Sequence, residues 1–283
     1  MNMQPTITRH EGRFRYDTKD MPFQFWSCTT DMVRAIDTVI FLGSAQRGKV
    51  VRWVAESAPA GTVVVEGLPH READRSARNL EDFASSFTRT ALQAVRRTYK
   101  SKELNIVAES QAVPGVVFAA LESPELIGNV ILAMPLGFTA DALGDTPRRR
   151  LRTLKWRAFL SALQALQTPA LDRRTLHLTF LAAHALLIDS HWRLSGQKYA
   201  YGVSRDLRPE CRQLAGAIGR RGKKLTLLLG ERDKIFPESE VRRSLEEAAI
   251  NTIAVEMVDA PHVSLAIRGG ERVLKRAVAI ARA

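Results

Sequence analysis

Four continuous apolar runs of strand length, separated by segments of helical periodicity, constrain the fold of this chain more than any other feature. The runs are Thr38 to Leu42, Thr62 to Val65, Leu104 to Ala108 and Val130 to Met134. Lys49 to Ser57, Leu80 to Tyr99 and Val113 to Leu121 lie between them and read as helices. A strand that is apolar at every position must bury both faces, and parallel strands joined through helices do this economically. The same rhythm returns with strands at Leu225 to Leu229 and Thr252 to Val258 and a closing helix from Glu271 to Ala281. Ile7 to Tyr16 and Pro22 to Cys28 read as two further, antiparallel strands. The expected fold is therefore α/β, a mostly parallel central sheet with helices on both faces. From Thr139 to Leu214 helix-like segments run without a clear strand, which reads as a helical insertion over one edge of the sheet. The expected organisation is a core of residues 1–138 and 215–283 interrupted by an insertion of residues 139–214.

Composition narrows the setting. At 283 residues, 45% apolar and 25% charged, the chain can bury a large core, so disorder does not dominate it. Cys28 and Cys211 stand far apart without metal-ligand spacing and are read as free thiols in a reducing compartment. Residues Met1 to Arg15 contain no apolar core of signal-peptide length, and no apolar stretch is long enough to span a bilayer, so a cytoplasmic location is expected. The net charge of +12 bears on partners and solubility rather than fold. Its concentrations, at Arg148 to Arg152 with Lys155 and Arg157 and again at Arg220 to Lys224, read as solvated helix faces, and no specific nucleic-acid partner is expected.

Three residues with chemistry to offer fall at the ends of predicted strands. In "NIVAESQAVPG", Ser110 follows a strand and precedes a helix, with Ala108 and Ala112 two residues to either side. A turn sharp enough to push a side chain outward leaves room only for small residues at those positions; the full pattern is G-x-S-x-G, and here alanines replace both glycines. A serine that simply caps a helix is the competing reading. "LTLLLGERDKIFPESE" puts Asp233 just past a strand, and "VEMVDAPHVSLAI" puts His262 after the next one. The order is Ser, Asp, His, each at the carboxyl end of a parallel strand, the edge where open parallel sheets carry their sites.

On these residues the chain resembles the α/β-hydrolase family over nearly its whole length. "AESQA" looks like the family's nucleophile elbow, "GERDKIFP" like its acid loop and "DAPHVSLAI" like its histidine loop, and the insertion stands where the family carries a helical cap. "FLGSAQRGK" occupies the place of the loop that helps to form the oxyanion hole. Gly43 matches that loop's glycine, while Leu42 stands where histidine is frequent. The resemblance implies backbone N–H donors at Ser44 and Gln111. The same stretch, with Gly43 and Gly48-Lys49, is one residue short of a phosphate-binding loop, but Val50 stands where a hydroxyl must hold Mg²⁺, and Glu66 is the one remaining support for that reading.

The residue types imply a mechanism that needs no metal or organic cofactor. His262 accepts the proton of Ser110 as the hydroxyl attacks an acyl carbon, Asp233 fixes the imidazole, and water resolves the acyl-enzyme. The expected function is a serine hydrolase acting on a small-molecule acyl substrate with a hydrophobic portion, foremost a carboxylic ester. A catalytically silent binding module of the same fold and an acyltransferase or thioesterase are the alternatives. Glu109, beside Ser110, reads as a variable position or as a group that tunes the elbow's charge. His70 reads as a surface-loop residue. His177, His184 and His191 recur every seven residues, two helical turns apart, too far to share a metal. From Pro147 onward, "PRRRLRTLKWRAFLSALQAL" sets Leu151, Leu154, Ala158 and Ala162 near one stripe, with Trp156, Leu160 and Leu163 in a second, and Arg149, Arg150, Arg152 and Arg157 elsewhere. Such a helix suits a cover over the cleft, with weak contact to an anionic ligand or a membrane surface as a further use.

Overall fold

Each apolar run supplies a strand to one eight-stranded sheet, in a computed structural model of the chain. It describes residues 5–30, 35–43, 48–68, 80–139, 144, 146, 149–150, 152–153, 156–157, 160, 206–262 and 270–283. The strands are β1 (Thr6–Tyr16), β2 (Lys19–Thr29), β3 (Thr38–Phe41), β4 (Thr62–Val65), β5 (Leu104–Glu109), β6 (Ile127–Ala133), β7 (Leu225–Arg232) and β8 (Ala254–Pro261). Their order across the sheet is β1-β2-β4-β3-β5-β6-β7-β8. From β4 through β3 to β8 every pairing is parallel, and β1 and β2 are antiparallel, as the sequence leads one to expect.

The hairpin β1-β2 closes on Asp17 and Thr18, because Tyr16 pairs with Lys19. Asp17 takes a left-handed backbone (φ 54°), which Asp tolerates better than most residues. Its burial alternates along β2, so Met21, Phe23 and Phe25 enter the core while Pro22 and Gln24 do not. Phe14 on β1 packs edge-on against Phe83 and Phe87 of the long helix α2 (Leu80–Tyr99).

The inner strands are buried on both faces, and alternate residues feed two apolar layers. Val39, Phe41, Ile106, Ala108, Val130, Leu132, Leu227 and Leu229 meet α2 and three more helices, α3 (Val113–Glu122), α4 (Arg208–Gly219) and α5 (Glu238–Glu247). Ile40, Val64, Val107, Ile131 and Leu228 face the other way, toward α1 (Lys49–Ser57) and α6 (Gly270–Arg282). This two-sided burial is why the runs show no period of two.

Helix α4 buries Leu214, Cys211 and Ile218 in the same layer as the sheet, so the core resumes by Leu207 and the boundary expected between residues 214 and 215 falls inside this helix. Leu207 donates its amide to the Gly137 carbonyl at 3.0 Å, which holds the chain just before α4 against the chain after β6. The described residues between 149 and 160 are helical, and Thr146 caps them by accepting the Arg149 amide at 3.3 Å. The basic run at 220–224 is only partly solvated. Arg221 and Lys223 both pair with Glu103, and Arg221 also donates to the carbonyls of Pro124 and Ile127.

Candidate active site

Ser110 leaves the end of β5 in a left-handed conformation, φ 45°, and enters a 3-10 turn, Ser110–Ala112, that runs directly into α3. A non-glycine residue in that region costs roughly 1–2 kcal/mol, which the buried strand before it and the packed helix after it must offset. Ala108 is fully buried and Ala112 packs against the core, so the small flanking residues do what the sequence requires of them. This backbone answers the competing reading, because a serine that merely caps a helix takes an extended conformation.

Asp233 and His262 come together through strand register. Gly230 pairs with Val258, the register then slips, and Arg232 pairs with Pro261, so the first residues past the two strands are Asp233 after β7 and His262 after β8. Gly230 makes the slip possible. A Cβ there would stand 2.5 Å from the Ala260 carbonyl oxygen, a backbone atom that cannot swing away, and the two strand ends would have to part. This glycine carries no sequence signal beyond its place three residues before Asp233.

The three side chains form one hydrogen-bonded chain. The Asp233 Oδ1 accepts the amides of Ile235 at 2.7 Å and Phe236 at 2.9 Å, which fixes the carboxylate and leaves Oδ2 for the imidazole. His262 Nδ1 donates to that Oδ2 at 2.8 Å. Nδ1 therefore carries the proton and Nε2 is left as an acceptor, 3.4 Å from the Ser110 hydroxyl. The Asp233 side chain is 1% exposed and that of His262 13%, so the pair is shielded from water and Nε2 alone needs access to the cleft. Phe236 packs its ring edge-on against the imidazole.

Burial acts to lower the pKa of His262. The charge of Asp233, its hydrogen bond and the charge of Glu109 outweigh burial and leave it above the ordinary histidine value. Glu109 is thus more than a variable position. It is buried beside Ser110, and its Oε2 accepts the Gly43 amide at 3.1 Å, which joins the end of β5 to Gly43 after β3. Of the two expected oxyanion donors, Gln111 lies in the turn next to Ser110, and Ser44 lies outside the described residues. His70, His177, His184 and His191 lie outside them as well.

The phosphate-loop reading finds no support here. Val50 is buried in the layer under α1, and Glu66 accepts the Gln24 amide at 3.0 Å. Among the described residues no group of three or more His, Cys, Asp or Glu is placed to hold a metal ion. Arg157 is not on a solvated face either. It makes a two-pronged ion pair with Glu240, at 2.8 Å for each prong, and donates to the Ile235 carbonyl at 3.1 Å.

No family model matches the chain, and comparison with curated proteins finds no matching sequence. Solved structures do match along its length. An alpha/beta hydrolase enzyme from a deep-sea metagenome library superposes with a TM-score of 0.55 at 13% identity, covering 96% of this chain and 98% of its own. The chain has the α/β-hydrolase fold. Two further structures share it. A membrane phospholipase A described as a bacterial virulence factor gives a TM-score of 0.62 at 14% identity, over 97% of this chain and 87% of that one. An acetylester hydrolase from Corynebacterium glutamicum gives 0.56 at 11% identity, over 98% and 96%. In this α/β-hydrolase fold Ser110, Asp233 and His262 each stand one residue past β5, β7 and β8, on the carboxyl edge of the sheet.

Proposed function

We propose that the chain is a serine hydrolase of small acyl compounds, foremost carboxylic esters. The observation that carries this reading is the continuous chain from Ser110 through His262 to Asp233, with its nucleophile on a strained turn. In the reaction Ser110 Oγ attacks the acyl carbon as its proton passes to His262 Nε2, and the imidazolium so formed is stabilised by the buried carboxylate of Asp233. The alkoxy group leaves with that proton. Water, deprotonated in turn by His262, then cleaves the acyl-enzyme and restores the serine. Backbone N–H groups of Gln111 and Ser44 are proposed to stabilise the oxyanion. An acetylester hydrolase of the same fold fits this substrate class. The test is treatment of the folded protein with a fluorophosphonate, followed by a chain-length profile of ester substrates. Labelling at Ser110 with turnover is the expected result, and an unlabelled folded protein would mark a silent binding module.

The pH dependence follows from His262. Only the neutral imidazole can take the serine proton, and its pKa stands above the ordinary value, about 6.5 for a free histidine. The log of kcat/KM for a non-ionising ester should therefore climb with pH and level off, with a midpoint above that value. EDTA should leave the rate unchanged. A midpoint well below 6.5 would remove the role assigned to the Asp233 carboxylate, and activity lost to EDTA and restored by Mg²⁺ or Zn²⁺ would remove the triad mechanism.

The substrate is proposed to carry an apolar portion held by the inserted segment, with the segment's basic residues favouring an anionic form. Arg152 and Trp156 are exposed there, Trp156 at 60%, and among the described residues no helix is long and apolar enough to cross a membrane. If charge attracts substrate, changing Arg149, Arg150 and Arg152 together to Gln should raise KM for an anionic ester and flatten its salt dependence, with little effect on a neutral short-chain ester. Equal effects on both esters would assign these arginines to stability instead. Loss of binding to anionic vesicles in the triple variant would assign them to a membrane surface.

A further inference from the structure

The contacts of Arg157 reach the catalytic acid through a single peptide unit. The bond joining Ile235 to Phe236 presents its carbonyl oxygen to the Arg157 guanidinium at 3.1 Å and its N–H to Asp233 Oδ1 at 2.9 Å. A cation thus stands at the oxygen of this peptide and an anion at its hydrogen. Polarisation by each partner strengthens the hydrogen bond to the other, and the effect is large where water is scarce. The site is sheltered, with side-chain exposures of 17% for Arg157 and 22% for Glu240. Glu240, in the first turn of α5, holds the guanidinium plane by accepting from both of its terminal nitrogens, which points the third contact at Ile235. The sequence places Arg157 in the insertion, 76 residues before Asp233.

We propose that Arg157 is a positioning residue for the catalytic acid: through the Ile235–Phe236 peptide it orients the Asp233 carboxylate and so couples the inserted segment to the Ser110, His262 and Asp233 chain. The inference rests on the serine hydrolase reading. Arg157 touches neither the nucleophile nor the imidazole, and its effect passes entirely through the acid loop. Among the described residues, the ionisable groups that act on the imidazole are Asp233 and Glu109, both of which favour its charged form. When Asp233 loses its fixed orientation, its share of that support weakens while burial continues to oppose the charge. The acidic limb of the rate profile then moves to lower pH. A guanidinium that served only to fasten the insertion would change stability and leave that limb in place.

The experiment compares R157Q, R157K and E240Q with the wild type, using a neutral short-chain ester, a full pH–rate profile, the melting temperature, and the NMR signal of the His262 Nδ1 proton. That signal is assigned by its loss in H262Q. Displacing a catalytic group by about 1 Å costs on the order of 10²-fold in rate, so R157Q should lower kcat by about 10- to 100-fold with little change in KM. It should also shift the pH midpoint downward and move the His262 Nδ1 proton upfield. R157K, which keeps the charge but lacks the planar fork, should recover part of the rate. E240Q leaves the guanidinium in reach of Ile235 and should lose less activity than R157Q. If R157Q does not fold, R157K carries the comparison, with an intermediate kcat and the same direction of shift expected. Wild-type kcat, pH midpoint and Nδ1 resonance in a folded R157Q or R157K would overturn the proposal, as would equal losses in R157Q and E240Q. S110A separates the two levels of inference. Turnover surviving in S110A removes the hydrolase reading, whereas a dead S110A beside an unaltered R157Q removes only the role of Arg157. The NMR signal reports on that role in either case.

Discussion

Ser110→Ala is expected to abolish fluorophosphonate labelling and to lower ester turnover on the order of 10⁴-fold or more. The side chain places its hydroxyl 3.4 Å from the His262 Nε2, and alanine leaves no atom to bond the phosphorus or the acyl carbon. Residual rate would come from oxyanion donors and binding alone. The fold should survive, because Ser110 is only half-buried, and the change removes one oxygen without creating an apolar cavity. Its left-handed backbone is equally strained with alanine, so the melting temperature should move little. Circular dichroism and a melting curve, measured beside the labelling, check this. Robust turnover in the alanine variant would mean that another residue attacks the substrate.

Asp233→Asn should be nearly as damaging, again on the order of 10⁴-fold in kcat, for a reason confined to one proton. Oδ1 is committed to the amides of Ile235 and Phe236, so the asparagine oxygen will keep that position and its NH₂ will face the imidazole. An NH₂ group donates. Nδ1 must then accept, the ring proton moves to Nε2, and Nε2 can no longer take a proton from Ser110. Turnover should recover partly at high pH, where a small fraction of histidine lacks the Nε2 proton. Labelling should be slowed to match. An asparagine variant with wild-type kcat at neutral pH would show that Asp233 neither orients His262 nor sets its tautomer.

Much of this architecture was legible because the relevant signals are local. Val39 to Phe41, Val63 to Val65 and Ile106 to Ala108 are apolar at every position, since each strand lies between two layers of helices and both faces are buried. The carboxyl ends of β5, β7 and β8 then follow from chain direction, and with them the positions of Ser110, Asp233 and His262. Alanines at 108 and 112 mark the tight turn because a larger side chain could not pack beside it. Helix α4 illustrates the limit. Its apolar residues show that one face is buried, but not whether the sheet or the insertion covers it, and the sheet does.

What remained hidden depends on pairings between distant parts of the chain. Glu109 and Gly43 are 66 residues apart, and Arg157 and Glu240 are 83 apart. No periodicity links such partners, and a charged residue in a sequence looks the same whether water or a carboxylate surrounds it. The register slip at Gly230 is hidden for a similar reason, because a glycine near a strand end gives no indication of which backbone atom would meet its Cβ. Strand positions, their two-sided burial and the order of Ser110, Asp233 and His262 at strand ends can be read along the chain, since they rest on side-chain size and apolar period within one stretch. The meeting of Asp233 with His262, the hold of Glu109 on the Gly43 amide and the reach of Arg157 to the Ile235 carbonyl come from the folded chain alone. Hydrogen bonds and ion pairs act over about 3 Å in space, and that distance is set by how the strands register and the helices pack.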